Sequence, residues 1–432
     1  MAPQPLRGFR DYPPPSAGAR SEIRHRMRSA ARRAGFQELE TPSVEPLDLY
    51  REKSGDEIAS QVWAFRDKGD REVALTPETT PSLARIFAER AAAEPLPVKW
   101  FTVARLWRYE EPQAGRTREF LQFNLDILGV GGLDAEIELL AAAGLVLDAA
   151  GAERLYAFRV NDRALAEGIG RALGARETAR FFRAVDQFRK MDGSAFLREL
   201  EASGLSSDRA RQLSELFASV GSGLPASALP AFFDRLQGWG LDPAAQAGID
   251  RLRRMGALAD AAGLGDRWVF DPTVVRGLAY YTSSVFEAFA RTGDGRALFG
   301  GGRYDALVEL FGGPPTPAVG LAIGDQTLEQ MLRAAGRWPE GEPPLDLYVV
   351  AMAPELRTEA IRLTAELRAA GRSVDLDLMG RSVARQLKEA GRRARKAVLL
   401  GPREFERGVV LVRDLTTGDQ VERPRSSVVP SV

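Results

Sequence analysis

The chain has no cysteine among its 432 residues and a single histidine, His25. Without cysteine there is no disulfide framework, no thiolate nucleophile and no zinc–thiolate site, and a reducing compartment is compatible with that usage. One histidine removes Ser-His-Asp chemistry and histidine-rich metal sites unless His25 itself serves, so no metal site is expected from the protein's side chains. His25 lies in an arginine-rich amphipathic run, residues 21–34, which points to an exposed helical position. Lysine is scarce as well: it supplies six of the 59 basic residues, a bias that reads as genomic composition. The 59 acidic residues balance the basic ones, so no global field favours nucleic acid and any RNA surface must be a local patch. No apolar run reaches transmembrane length and the N-terminus lacks a signal peptide's apolar core; no membrane partner and a cytoplasmic location are expected. The length suits two or three domains with a sizeable core.

What the chain does have is an unusual hairpin. Residues 100–110 are rich in aromatic and β-branched side chains, residues 112–119 form a polar loop with Arg116 and Arg118, and residues 120–130 read as a second strand. Along that strand Leu121, Phe123, Leu125 and Ile127 point one way and Gln122, Asn124 and Asp126 the other, because side chains alternate with period two. The apolar face must pack on a core. The polar face, joined by Arg108 and Glu110, reads either as a solvated outer face or, with arginines above it, as a platform for a zwitterion plus a polyphosphate.

Taken in order, the rest of the chain begins with a helix from Ser16, its candidate N-cap, to about Ala34, then a short strand ending at Pro42. Residues 71–75 should be a strand and Pro81 the first-turn proline of the next helix. Glu78 and Thr80 fall at that junction, as helix caps or as ligand contacts. Residues 135–150 have helical periodicity. Residues 161–264 are almost wholly helical in pattern, with capping candidates Asp192, Ser206 and Asp242 and no catalytic constellation. β character returns at 269–287 and 298–307, the latter with a Gly300–Gly302 run, and 317–332 reads as a strand running into a helix. Residues 336–344 are a linker by composition, followed by a β-α-β-α-β pattern and one further strand at 409–413, which implies a small, largely parallel α/β domain. Arg381, Arg385, Lys388 and Arg392 gather near one face of its second helix, as a solvated surface or an RNA-backbone contact.

Several of these segments carry a resemblance. W-R-Y-E-E-P-Q-A-G-R-T-R-E-F-L-Q resembles motif 2 of class II aminoacyl-tRNA synthetases, and specifically the F-R-x-E-x-P-Q-x-G-R-x-R-x-F-x-Q of histidyl-tRNA synthetases. R-G-L-A-Y-Y-T-S-S-V-F-E and G-G-G-R-Y-D are similar to that family's histidine-specific motifs, and helix, strand and Pro42 to motif 1. The resemblance implies a class II synthetase-like fold: an α+β catalytic core with a mixed, mostly antiparallel sheet, a helical insertion, and a C-terminal α/β anticodon-binding-like domain. The corresponding spans are 1–160 and 265–335 for the core, 161–264 for the insertion and 345–432 for the last domain. It further implies a histidine–tRNA ligase, an enzyme that activates L-histidine with ATP and Mg²⁺, transfers it to tRNA(His), and forms a homodimer through the motif 1 region.

By the same resemblance, Arg108 and Arg276 flank the α-phosphate, Glu110 orients adenine or the motif 2 arginine, Phe120 stacks on adenine and Arg116 holds the γ-phosphate. Gln122 and Asp126 would take the substrate's ammonium group, and Glu78 and Tyr281 the imidazole. Thr80, Tyr280, Gly301 and Tyr304 complete the pocket, and the cluster Arg381, Arg385, Lys388 and Arg392 faces tRNA. Two positions depart from the pattern: Ala279 stands at a usual aspartate, and Thr327 at the motif 3 arginine that packs on adenine, with Arg333 or Arg116 as candidate substitutes. The alternative is a non-catalytic paralogue, either the regulatory subunit of ATP phosphoribosyltransferase or a histidine or tRNA sensor. Thr327 favours that alternative, whereas the domain after Pro344 and the retained arginines oppose it.

Overall fold

The computed structural model describes residues 4–51, 61–112, 116–275, 280–292, 297–339 and 345–429. The chain divides into two compact units, Met1–Glu340 and Gly341–Val432.

The first unit is organised by the hairpin. Strands β5 (Val98–Trp107) and β6 (Glu119–Leu128) pair antiparallel over a ladder from Val98 opposite Leu128 to Trp107 opposite Glu119. Arg108 to Glu110 lie beyond the end of β5 rather than in it. The run of β-branched and aromatic residues ends at Trp107, and the following charged residues turn into the loop. Around this pair the sheet is completed by β1 (Gln37–Glu38), β7 (Tyr156–Asp162), β8 (Trp268–Phe270), β9 (Ser284–Ala290), β10 (Phe299–Arg303) and β11 (Ala318–Gly324). Its order is β1-β5-β6-β11-β10-β9-β7-β8, antiparallel throughout the middle and parallel only where β1 and β8 join the edges. A separate three-stranded sheet has β4 (Glu72–Leu75) between β2 (Val44–Pro46) and β3 (Trp63–Arg66).

Both faces of the large sheet are covered. On one, Phe101, Phe123, Leu125 and Ile127 pack with α1 (Ser16–Arg33), through Ile23 and Met27, and with α3 (Asp134–Leu147), through Leu139, Leu140 and Val146. Each such side chain contributes about 1.5–3 kcal/mol on burial. On the other, α2 (Thr80–Arg90) brings Leu83 and Phe87 against Trp100, Tyr281 and Tyr304. The solvated-face reading of β6 is therefore wrong: Asn124 and Asp126 are 2% and 1% exposed. Their alternation with leucine and phenylalanine records two different interiors, one apolar and one polar.

The helices between β7 and β8 begin at Arg163, since Asn161 and Asp162 still belong to β7. Asp192, Ser206 and Asp242 cap them as expected, each accepting from a backbone N–H. Asp162 is a cap that the periodicity did not reveal, accepting from Ala164 and Leu165 while pairing with Arg251 at 2.8 Å. Ser16, in contrast, is the first helical residue of α1. Pro15 holds the N-cap position without a side-chain bond. His25 is exposed.

The second unit is a five-stranded sheet of order β13-β12-β14-β15-β16, from β12 (Leu345–Ala351), β13 (Val374–Leu376), β14 (Ala394–Leu400), β15 (Val409–Asp414) and β16 (Gln420–Pro424). Only β13, β12 and β14 are parallel, and β15 and β16 add an antiparallel hairpin. β16 escaped sequence reading because all five of its residues are exposed, so no alternation marks it.

Candidate active site

The polar face of β6 continues across the sheet as a floor of small residues. Asp126 lies opposite Gly320, which lies opposite Gly302, while Asn124 aligns with Ala322 and Gly300, and Gln122 with Gly324. Close approach dictates the glycine at 320: a Cβ there would fall 1.9 Å from Asp126 Oδ1. Gly302 likewise leaves room for the Tyr281 ring, 2.7 Å from where its Cβ would stand. Gly301 faces the opposite way, toward Phe286 and Leu321 in the apolar core, and does not line the floor.

At one end of this floor the groups are acidic and phenolic. The Tyr304 hydroxyl donates to Asp126 Oδ1 at 2.6 Å, and the Tyr280 hydroxyl to Glu78 Oε2 at 3.2 Å. The rings of Tyr280 and Tyr304 meet edge to face at 6.1 Å and those of Tyr280 and Tyr281 at 5.0 Å, so the three form one wall. Tyr281 is the more deeply buried of the two neighbouring tyrosines. Glu78 and Thr80 are buried at the start of α2, and Thr79 meets Thr102 on β5 at 3.5 Å. Burial pushes the Asp126 carboxyl up to about 7, the Tyr304 hydrogen bond opposing it only in part. Burial and the neighbouring Asp126 charge raise Tyr304 well above the usual phenol range. Asp126 Oδ2 and Asn124 Oδ1 are buried acceptors with no hydrogen-bond partner among the described residues, so this end is built to receive donors.

At the other end the groups are cationic. Arg108 donates from Nε to Pro77 O at 3.0 Å, placing its guanidinium beside the Glu78 turn and 5.4 Å from the centre of the Phe120 ring. Glu110 lies between Arg108, at 4.0 Å, and Arg116, at 2.8 Å. Arg118 is turned away: it stacks on Tyr109 at 4.2 Å and donates to Glu110 O at 3.0 Å, while its own N–H bonds Gly8 O at 2.8 Å. It braces the loop and leaves Arg116 as the arginine on the platform side.

The structure thus brings Glu78, Thr80, Arg108, Glu110, Arg116, Phe120, Gln122, Asp126, Tyr280, Tyr281 and Tyr304 around one surface. Arg276 and Ala279 lie outside the described residues. One expectation fails on distance. Gln122 and Asp126 are four residues apart on a strand, roughly 13 Å, and cannot hold the same ammonium group. Sequence reasoning also missed what sets β10 in place: Arg303, 4% exposed, bonds Glu136 of α3 at 2.7 Å and 2.5 Å and the carbonyls of Val130 and Gly132. In sequence Glu136 is one acid of an amphipathic helix, and nothing local marks it as buried.

In the second unit, Arg385, Lys388 and Arg392 lie on a helix (Val383–Arg393), with Arg381 just before it. Arg381 is tied to Asp377 at 3.6 Å and Arg392 to Glu389 at 4.0 Å, whereas Arg385 and Lys388 have no acidic partner among the described residues.

A family profile described as histidyl-tRNA synthetase matches residues 8–328, and one described as an anticodon binding domain matches 346–432. The chain is 41% identical over 431 residues to a histidine–tRNA ligase of Opitutus terrae, covering 98% of this chain and 97% of that one. It is 40% identical over 425 residues to a histidine–tRNA ligase of Halobacterium salinarum, covering 97% and 95%. Its fold is similar to the crystal structure of histidyl-tRNA synthetase from Nostoc sp. PCC 7120, with TM-score 0.85 at 22% identity over 99% of this chain and 98% of that one.

Proposed function

We propose roles for the platform residues from the premise that the chain belongs to the histidyl-tRNA synthetase family, the class II aminoacyl-tRNA synthetases with histidine–tRNA ligase activity. The observation that supports these roles is the polarity of the platform: buried acceptors and phenols at one end, Arg108, Arg116 and Phe120 at the other. In the first reaction a carboxylate oxygen of histidine bonds to the α-phosphorus of ATP while the bond to the β-phosphate oxygen breaks and pyrophosphate leaves. The reacting carboxylate must therefore face the arginines. The ammonium group, one carbon from that carboxylate, then falls beside Gln122 and Glu78. The imidazole reaches further, to the Asp126 and Tyr304 end, where the vacant acceptor Oδ2 takes a ring N–H. This exchanges Glu78 and Asp126 in the assignment that the motifs imply, keeps Gln122 with the ammonium group and removes the distance conflict between Gln122 and Asp126.

Phe120 stacks on the adenine, and Arg108 neutralises charge at the α-phosphate, assisted in our reading by Arg276. Arg116, oriented by Glu110, meets the outer phosphates. No side-chain nucleophile or general base is required, because the barrier is repulsion between anions, and fixed cations lower it. Mg²⁺ would arrive with the triphosphate and neutralise its charge. The activated histidine then passes to the terminal adenosine of tRNA(His), with AMP released, while the second unit holds the anticodon arm. We further assign a homodimer through the motif 1 region and a cytoplasmic location; no helix among the described residues is long and apolar enough to cross a membrane.

The test is ATP–pyrophosphate exchange without tRNA. We expect exchange with histidine alone among the amino acids, and Arg108→Ala to slow it about 100- to 1,000-fold, the loss typical of removing one preorganised donor. A folded protein that binds histidine without exchange would overturn this reading in favour of the sensor or regulatory subunit.

A further inference from the structure

The helix that ends motif 3 (Asp325–Ala334) brings no charge to the nucleotide end of the platform at position 327: the Thr327 hydroxyl donates back to Gly324 O at 3.2 Å. Neither substitute proposed from the sequence fills that place. Arg333 lies at the far end of that helix, bonded to Glu329 at 2.8 Å and over the Trp338 ring at 5.0 Å. Arg116 stands on the loop after β5, oriented by Glu110, and already has its own place at the phosphates in our reading.

The cation that does stand at the head of the Asp325–Ala334 helix comes from the N-terminal segment. Arg10 Nη1 donates to the side-chain oxygen of Gln326, the neighbour of Thr327, at 3.2 Å, and the Gln326 amide is in turn fixed by the Tyr12 hydroxyl at 3.1 Å. Arg10 is exposed and has no acidic partner among the described residues. It borders a cavity of about 340 Å³ shared with Tyr12, Arg20, Arg24, Arg105 and Phe120. The arginines of this wall differ in how far their charge is already answered. Arg20 is spent on Asp325 and Glu329, and Arg105 on Glu119 at 2.7 Å. Arg24 has no carboxylate within ion-pair distance among the described residues. Burial first, and then the adjacent Arg20, Arg28 and Arg105, lower its pKa against the opposing pull of Asp325. Two cations with no ion-pair partner among the described residues therefore meet at a cavity whose wall includes Phe120, the ring that we assign to adenine, along with Asp11 and the Arg105-bound Glu119.

We infer that Arg10 is a nucleotide-binding residue that supplies the contact Thr327 cannot, holding the outermost phosphate of ATP at the mouth of this cavity, with Arg24 as the second cation. The inference rests on the reading of Phe120 and Arg108 as the ATP end of the site. A guanidinium reaching from Arg10 is suited to it, because its bond to Gln326 occupies one of five N–H donors and leaves the others for a bidentate phosphate contact.

The test uses the full chain, as parent, as Arg10→Ala and as Arg10→Ala with Thr327→Arg. In histidine-dependent exchange, Arg10→Ala should raise the KM for ATP about tenfold while leaving the KM for histidine and the thermal midpoint near those of the parent. Adding Thr327→Arg should return the KM for ATP most of the way, a rescue that a merely structural role for Arg10 would not give. Calorimetric titration with ATP alone decides the matter even where exchange fails, so failure of the ligase reading stays distinguishable: tighter binding by the parent than by Arg10→Ala supports the inference. Titration with pyrophosphate separates the two sources of phosphate. A loss confined to pyrophosphate, an ATP KM within twofold of the parent, or no recovery on adding Thr327→Arg would each overturn it.

Discussion

Asp126 holds a carboxyl group in a place that penalises its charge. Its pKa in the folded chain, about 7, stands above the ordinary carboxylate value of 3.8, so between these pH values the folded chain keeps a proton that the unfolded chain has lost. Stability therefore falls as pH rises through that window. The full cost, about 4 kcal/mol, is present above pH 7 and absent below about pH 4. Asp126→Asn keeps an acceptor for Tyr304 and removes the charge, so the variant should gain stability over the parent at pH 8 relative to pH 4, read from urea midpoints, while losing histidine-dependent exchange. An equal effect at both pH values would contradict a buried carboxylate. Gly320→Ala tests the same spot from the neighbouring strand. A methyl group 1.9 Å from Asp126 Oδ1 must displace that side chain, so the KM for histidine should rise at least about tenfold and the fold lose about 1–3 kcal/mol.

Among the elements, β10 carries the most constraint for its length. Its glycines leave room for Tyr281 on one face and Phe286 on the other, and Arg303 clamps its end to α3 through Glu136, with the Ser284 hydroxyl donating to the same carboxylate at 2.7 Å. Tyr304, the next residue, is thereby presented to Asp126. Glu136→Ala would leave the buried guanidinium with only the partly exposed Asp305, 3.1 Å away, as counter-ion and should cost about 3 kcal/mol in a denaturant titration. Glu136→Gln, which retains one acceptor, should cost less. A loss below about 1 kcal/mol for the alanine variant would show that the clamp is dispensable.

On the scale of the whole molecule the two units separate two kinds of recognition. In the proposed reading the platform meets small zwitterions and phosphates with buried, fixed partners. The second unit offers exposed cations, and in the cluster Arg381, Arg385, Lys388 and Arg392 it is Arg385 and Lys388 that have no acidic partner among the described residues. Reversing both to glutamate should lower kcat/KM for tRNA charging about tenfold or more, with a weaker dependence on salt, because counterion release scales with the phosphates contacted. Pyrophosphate exchange, which needs no tRNA, should be unchanged. Equal loss in both assays would place these residues in folding rather than in RNA binding.

The sequence by itself determined the elements and the chemistry they carry. Period-two alternation drew β6, the caps Asp192, Ser206 and Asp242 marked helix starts, and the motif 2 and histidine motifs led to the family, because these signals lie within a few residues of one another. Only the tertiary structure decided which face of β6 is buried, and by what. It also decided that Gly301 faces the core and that Arg118 stacks on Tyr109. Contacts between residues more than a hundred positions apart, such as Glu136 with Arg303 or Arg10 with Gln326, leave no periodic trace in the chain. They arise from strand order and register, which depend on how the whole sheet closes on its two interiors.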